Sequence, residues 1–419
     1  MSSRSLARRR RRARSPLSSR SLARRRRRRC SSRSLVPRAP LPDNDDLLEE
    51  ILLRLRPSSL PRASAVCKRW RRLAADPRFL DRFCAHHRKP PLLGFFECLD
   101  KIVFTPVPPY RIPPERFSLE SCKGHRSDND ELVRGRQYDV LSCRHGHVLV
   151  KDRVRKEIVV WTPMTGEQRC LAVPALFKRS FLNGAVLCTN KGHVHGACQF
   201  SHFKVVLVCK DRKEKKLLAS VYSSDTGVWD DLISIEVPSH IRDTCTHGSL
   251  VGNVLYWLLS IRDGILKFDL DRQNLTLIKG PPVANNFCRD NRQIIQTENG
   301  VLGLATLSYP RFKMWQRNVD FHGVATWLLQ KTVDMGTILG LPPQTEGGGT
   351  QKILAYSEDI DAIFICVDNN VYMVQLKSMQ SKRLHESCHI NNYHPFTSFY
   401  TPGTAITNVC SGTEMVQDT

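Results

Sequence analysis

From about Gln137 onward the chain repeats one unit: a short apolar strand ending in a large side chain, a polar turn, and a second strand. Ile158-Val159-Val160-Trp161 running into Thr162-Pro163-Met164-Thr165-Gly166 is one copy. Val221-Tyr222 with Ser223-Ser224-Asp225-Thr226-Gly227 is a second, and Leu266-Lys267-Phe268-Asp269-Leu270-Asp271 a third. Ala325-Thr326-Trp327 and Tyr372-Met373-Val374 are weaker fourth and fifth copies. Anchored on Trp161, Tyr222, Phe268, Trp327 and Val374, the copies lie 61, 46, 59 and 47 residues apart, around the ~50 residues of one small antiparallel sheet in a radial repeat. Such a unit buries its faces only against its neighbours, so the pattern predicts a closed or nearly closed array. Three further stretches, His145–Val150, Val251–Trp257 and Gly300–Leu304, predict an inner strand beside a glycine, where a small residue lets strands crowd. The uneven steps leave the number of units open, and a β-sandwich is the alternative.

The front of the chain is different. Residues 1–40 hold 16 arginines and no acid, with SSRSLARRRRR starting at Ser2 and again at Ser18. A stretch with this composition has nothing to bury and is expected to be disordered. It supplies most of the net charge of +24. The readings open for it are a nuclear import signal, a nucleic-acid patch, an organelle presequence and a tail without function. No aromatics interleave with the arginines, against a base-stacking platform. Residues 84–136 are rich in proline, which rules out long helices, and carry two candidate first strands at Leu92–Phe96 and Ile102–Phe104. The expected organisation is therefore a tail over 1–40, a helical module over 41–83, a linker with first strands over 84–136, a β-rich body over 137–410 and a short tail over 411–419.

Within 41–83, Asp46 with Glu49 three residues on forms a candidate capping box. Leu47, Leu48, Ile51, Leu52 and Leu55 then make one apolar stripe, with acids at the start and Arg54 and Arg56 at the end, complementing the helix dipole. Pro57 stops the helix. Ser59 is the expected cap of a second helix carrying Ala63, Val66, Cys67, Trp70, Leu73 and Ala74, which Asp76-Pro77 closes before a last apolar turn of Phe79, Leu80 and Phe83. A module this small needs a partner to bury its surface.

Catalytic patterns are sparse. The sequence has no Gly-x-Ser-x-Gly elbow and no phosphate loop, and Gly347-Gly348-Gly349 lacks the Lys-Ser/Thr such a loop requires. His193-x-His195-x-x-Cys198, with His202 as a further ligand, is the most metal-like cluster, and Cys122-x-x-His125 is thinner. Neither has paired ligand spacing, so no metal and no cofactor is expected. Asp230-Asp231 and Asp269 with Asp271 read as turn chemistry. The 15 cysteines are scattered and include no Cys-x-x-Cys pair, which reads as reduced, mostly core thiols in an intracellular protein. No run of 18 apolar residues suggests a membrane span.

Several separated motifs in 41–83 carry a resemblance. Leu41-Pro42, the Leu47–Leu52 helix, Val66-Cys67-Lys68-Arg69-Trp70-Arg71 and Asp76-Pro77-Arg78-Phe79 occur in the order seen in the F-box of plant F-box proteins. The body resembles the F-box-associated, kelch-like β-propeller regions that often follow a plant F-box. The resemblance implies a multidomain α plus all-β protein: a disordered Arg-rich tail, a small three-helix F-box and a propeller-like body. It implies a non-catalytic substrate receptor of an SCF-type ubiquitin ligase, in the nucleus and/or cytoplasm, docking on a Skp-type adaptor and through it on cullin and RING subunits, while the β-body holds an unidentified target protein. The implied adaptor contacts are Leu41, Pro42, Leu47, Leu48, Ile51, Leu52, Leu55, Val66, Cys67 and Trp70, some of which must face the module's own interior. Cys67 reads as a packing residue rather than a thioester site. The alternative function is a nucleic-acid-associated protein acting through the Arg-rich tail. Neither nucleic acid nor membrane is the expected partner.

Overall fold

A computed structural model describes residues 44–98, 101–119, 137–178, 182–189, 202–211, 214–237, 247–259, 264–282, 291–341, 351–386 and 393–399. The Arg-rich tail, Leu41, Pro42, the Cys122/His125 and His193/His195/Cys198 clusters, the triple glycine and the tail after residue 410 lie outside the described residues.

The front module has four helices, α1 (Asp45–Leu53), α2 (Leu60–Ser64), α3 (Lys68–Ala75) and α4 (Pro77–His87). Asn44, not Asp46, caps α1, its side chain accepting from the Asp46 N–H at 2.8 Å. The second predicted helix is split in two. The Ser64 hydroxyl donates to the Pro61 carbonyl at 2.8 Å, a local bond that competes with helix propagation. Val66 and Cys67 then fall in the link, with Cys67 at the N-cap of α3. Asp76-Pro77 does close α3, but it also opens α4: the Asp76 carboxylate accepts from Arg78 and Phe79, and Pro77 sits at the first helical position. Leu48, Leu52, Leu60, Leu73, Phe79 and Phe83 form the module's core, which Phe399 from the far end of the chain joins.

Six sheets follow. Sheet one joins β1 (Leu92–Cys98) and β2 (Ile102–Pro106) to the last strand, so its third member is named after the others. Sheet two is β3 (Tyr138–Arg144), β4 (His147–Asp152), β5 (Glu157–Thr162) and β6 (Glu167–Ala172). Sheet three is β7 (Leu182–Cys188), β8 (Phe203–Asp211), β9 (Lys216–Ser223) and β10 (Ile233–Glu236). Sheet four is β11 (Ser249–Val251), β12 (Val254–Leu258), β13 (Gly264–Asp269) and β14 (Asn274–Lys279). Sheet five is β15 (Arg292–Gln296), β16 (Leu302–Ser308), β17 (Arg311–Val319) and β18 (Ala325–Asp334). Sheet six is β19 (Gln351–Ser357), β20 (Ala362–Val367), β21 (Asn370–Gln375) and β22 (Ser381–Glu386). Finally β23 (Tyr393–Thr397) pairs antiparallel with β1 and packs between β3 and β19. The array is a six-bladed propeller whose first blade takes strands from both ends of the body. The closed ring removes the β-sandwich alternative.

Each blade interface is one apolar cluster, and strand periodicity explains it. Along β8, Val205, Leu207 and Cys209 face sheet two, while Val206 and Val208 face sheet four. A strand buried on both faces reads as a continuous apolar run rather than an alternation. Two tryptophans repeat one tie between blades: Trp229 Nε1 donates to the Ala172 carbonyl at the end of β6 (2.8 Å), and Trp327 Nε1 donates to the Lys279 carbonyl at the end of β14 (2.9 Å).

Two expectations need correction. Trp161, Tyr222, Phe268 and Val374 lie on the third strand of their blades, but Trp327 lies on β18, the fourth, because β17 and β18 form an unusually long hairpin. Trp315 on β17 holds the equivalent place. The stretches read as inner strands are β4, β12 and β16, each second from the axis. Gly146, Gly252 and Gly300 sit in or beside the turns before them with φ of 80°, 61° and 74°, so backbone conformation rather than strand crowding calls for glycine there. Gly303 within β16 does answer to crowding, a Cβ there meeting Thr297 at 2.7 Å and the Trp315 carbonyl at 3.0 Å. The candidate first strands inside 84–136 belong to blade one.

Candidate docking and binding sites

The apolar stripe of α1 divides between two jobs. Leu48 and Leu52 are fully buried in the module's own core. Leu47 and Ile51, one helical turn apart, point outward and are 53% and 41% exposed. Val66 is 62% exposed, Cys67 is exposed, and Leu55 and Trp70 are half-buried against the core. Cys67 is therefore not a packing residue of the free chain, since the break between α2 and α3 turns it to solvent. The Asp45 carboxylate accepts from Arg69 Nε at 2.7 Å and Arg72 Nη2 at 3.1 Å, which ties the start of α1 to α3. Arg82 on α4 reaches Glu49 and Glu50 at 2.9 and 2.8 Å. These exposed pairs set helix register more than they add stability. The result is an exposed apolar set, Leu47 and Ile51 on α1 and Val66 in the link before α3, on a module whose core is already filled.

The propeller axis is filled by polar side chains. Arg144, at the end of β3, donates from Nη2 to Glu358 Oε1 (2.7 Å) and the Gly248 carbonyl (2.7 Å), and from Nε to Glu358 Oε2 (3.1 Å). Glu358 Oε1 also accepts from the Leu250 N–H at 2.6 Å. Blades two, four and six are thus tied across the axis. Burial works against the guanidinium charge, but Glu358 outweighs it and the Arg144 pKa rises. Beside this knot the rings of His247 and His394 lie 4.0 Å apart. A cleft of about 830 Å³ opens next to it, walled by Leu187, Val221 and Phe268 and edged by Lys204, Asp225 and Asp271.

Desolvation draws the His247 imidazole down to about 4, with the Arg144 charge adding to the shift and a hydrogen bond to the Leu141 backbone opposing it. The unfolded imidazole titrates near 6.5. As pH falls from 6.5 to 4 the unfolded chain takes up a proton that the folded one resists, so stability declines across that window and levels off below it. The half-buried ring keeps the loss from this group under about 3 kcal/mol. Urea midpoints measured between pH 7 and 4 should fall in wild type and fall less in His247→Phe. His385 and His87, also lowered by desolvation, keep a residual slope.

Of the remaining sequence candidates, His202 pairs with Asp225 at 2.8 Å. The Asp269 carboxylate accepts from the Asp271 and Arg272 N–H groups, as turn chemistry predicts, and holds its pKa low through them. Asp230 accepts from Gln273. Among the described residues no three His, Cys, Asp or Glu side chains are placed to hold a metal, and no helix is long and apolar enough to cross a membrane. Of the described cysteines, Cys84, Cys98, Cys188, Cys209 and Cys366 are buried. Sequence reading missed the Arg144–Glu358 knot, whose partners are 214 residues apart, and the insertion of Phe399 into the helical core.

Comparison with known proteins gives matches to both parts. A family model described as "F-box protein AT5G49610-like, beta-propeller" matches residues 139–403, and one described as "F-box domain" matches residues 44–82. Among curated proteins, the chain is 24% identical over 256 residues to the F-box/kelch-repeat protein At3g23880 of Arabidopsis thaliana, covering 58% of this chain and 66% of that one, just under two thirds. It is 23% identical over 350 residues to the F-box protein At5g03970 of the same plant, covering 79% of this chain and 80% of that one. Among solved structures, the Cps50 (Swd1) β-propeller domain of Myceliophteria thermophila aligns over 61% of this chain and 74% of that one at 10% identity, with a TM-score of 0.34, a likeness too slight to bear on function.

Proposed function

The chain belongs to the F-box proteins with an AT5G49610-like β-propeller, and from that premise we propose that it is the substrate-recognition subunit of an SCF-type ubiquitin ligase. Proteins of this architecture typically serve as substrate receptors. The F-box docks on a Skp-type adaptor, which connects it to cullin and RING subunits, while the propeller holds a target protein. Its contribution is proximity between target and ubiquitin-loaded enzyme, not bond making. The complex works in the nucleus and/or cytoplasm, which imaging of a fluorescent fusion checks.

The observation that carries this reading is the exposed set of Leu47, Ile51 and Val66 on a module whose core is already filled. Apolar side chains left outside a finished core are available to a partner. Leu41 and Pro42 join this docking set in the proposal. Leu48 and Leu52 support it from within, and Leu55, Cys67 and Trp70 stand at its edge.

Ile51→Asp should weaken binding of a purified Skp-type adaptor at least about tenfold, and Ile51→Asp with Val66→Asp should weaken it further, because each places a charge where a desolvated contact forms. Their thermal midpoints should stay near wild type, as both positions are exposed. Leu48→Asp is unsuited to this test, since it would unfold the module. Adaptor binding by calorimetry that is absent in wild type, or equal in all three proteins, would remove the receptor reading.

A further inference from the structure

The outer edges of the blades are not alike. β6, β14 and β22 have six residues each and β10 four, whereas β18 has ten and is exposed along nearly all of them. Its partner β17 has nine, and the pair runs on to a tip at Asp320–Gly323. The exposed large apolar side chains Val319, Phe321, Val324, Leu328 and Leu329 are collected on this one hairpin. Phe321 at the tip is 91% exposed.

The tip is rigidly built. The Asp320 carboxylate accepts from the His322 N–H (2.9 Å) and the Val324 N–H (2.8 Å). The Asp320 N–H donates to the Val324 carbonyl, and the Gly323 N–H to that of Asp320, both at 3.0 Å. The phenyl ring is thus held out by a turn already ordered before any partner arrives, which lowers the entropy lost on binding. A notch of about 770 Å³ beside the hairpin is lined by Tyr256, Val301, Leu302, Arg317 and Val319.

Charge selects the occupant. β17, β18 and their turn carry four cations, Arg311, Lys313, Arg317 and Lys331, and none of them has an ion-pair partner among the described residues. The two acids are occupied with backbone N–H groups, Asp320 at the tip and Asp334 capping the short helix Met335–Leu339. A second copy of this chain would bring the same cations against them. An acidic segment would neutralise them.

We propose that the β17–β18 hairpin is the target-docking edge of the propeller, and that it takes an extended segment with alternating apolar and acidic residues as an added strand along β18. The segment's backbone pairs with the free edge over Ala325–Leu329, ahead of the bulge at Gln330 where the register with β17 slips. Its apolar side chains cover Phe321, Val324 and Leu328, and its carboxylates, on the opposite face, meet Arg317, which stands opposite Trp327 in the ladder. The turn between β17 and β18 lies on the ring face where β23 ends and β1 begins, the face that joins the F-box, so a bound segment is held on the adaptor side of the ring. This assignment rests on the receptor reading and names the chemistry of its substrate.

The test immobilises the full chain and selects from a phage-displayed library of random dodecapeptides, then measures one synthesised winner by fluorescence anisotropy. Selected peptides should alternate apolar with Asp or Glu. The winner should bind about tenfold or more weakly to Phe321→Ser, and lose binding when proline is placed at its centre. Arg317→Glu should turn the selection toward basic peptides. All these positions are at the surface, and unchanged urea midpoints confirm folding. No selected peptide, or a winner indifferent to the hairpin variants, overturns the assignment. A dimer by light scattering that Phe321→Ser dissolves assigns the edge to a second copy instead and also overturns it. Adaptor binding is measured on the same proteins: adaptor bound without peptide sinks this inference alone, and peptide bound without adaptor sinks the receptor reading alone.

Discussion

Glu358→Ala is expected to lower the stability of the propeller by about 3–5 kcal/mol, read as a shift of the urea midpoint at pH 7. Arg144 is 5% exposed, and the carboxylate meets its guanidinium at two points. Removing it takes away both charged contacts of the buried guanidinium, leaving the neutral Gly248 carbonyl and Ser142 hydroxyl as acceptors and only the Asp359 carboxylate nearby to offset the charge. It also orphans the Leu250 N–H, which donates to the same carboxylate oxygen. The tie joins blades two, four and six, so the loss is shared by the ring rather than confined to one blade. The double variant Arg144→Met with Glu358→Leu should recover most of the stability, since replacing both partners of a buried pair with apolar groups removes the unpaired charge. A single variant that costs less than about 1 kcal/mol would show that water reaches the guanidinium and that the knot is not what holds the axis together.

The knot also marks where sequence reading runs out. A β8 run such as Val205-Val206-Leu207-Val208-Cys209 is legible as a strand buried on both faces, and that alone argues for stacked sheets. The F-box motif is equally legible, because its elements are local and ordered. The blade count is not, because blade one is assembled from Leu92–Pro106 and Tyr393–Thr397, segments nearly three hundred residues apart with no shared pattern. The second helix breaks after Ser64, whose hydroxyl donates to the Pro61 carbonyl, and no periodicity reports that break. The misplacement of Trp327 has the same origin as the docking edge: the β17–β18 hairpin outruns the repeat, so spacing fails where this chain departs from its own pattern. In the docking set, periodicity marks the stripe on α1 but cannot say which of Leu47 and Leu48 faces inward, as both satisfy it.

The closing strand supplies the second large effect. Phe396 on β23 is buried at the seam between blades one and two, with its ring 5.3 Å from Phe96, 5.8 Å from Phe117 and 6.3 Å from Phe104. Those three rings come from the front of the body and Phe396 from its end, so this one side chain fills the place where the circle closes. Phe396→Ala should cost about 3–5 kcal/mol, the range for emptying a phenyl site in a core that collapses only partly. Three residues on, Phe399 leaves the propeller and lies 6.1 Å from Phe83, edge to face, inside the helical core. Phe399→Ala should therefore act elsewhere. It should leave the urea midpoint of the propeller nearly unchanged while raising the rate of proteolysis between His87 and Leu92, where the F-box joins blade one. Circular dichroism separates the two effects, since β signal reports the ring and helical signal the F-box. Equal losses of both signals in the two variants would mean that module and ring unfold as one unit, and the F-box could not then be treated as an independent plug on the end of the propeller.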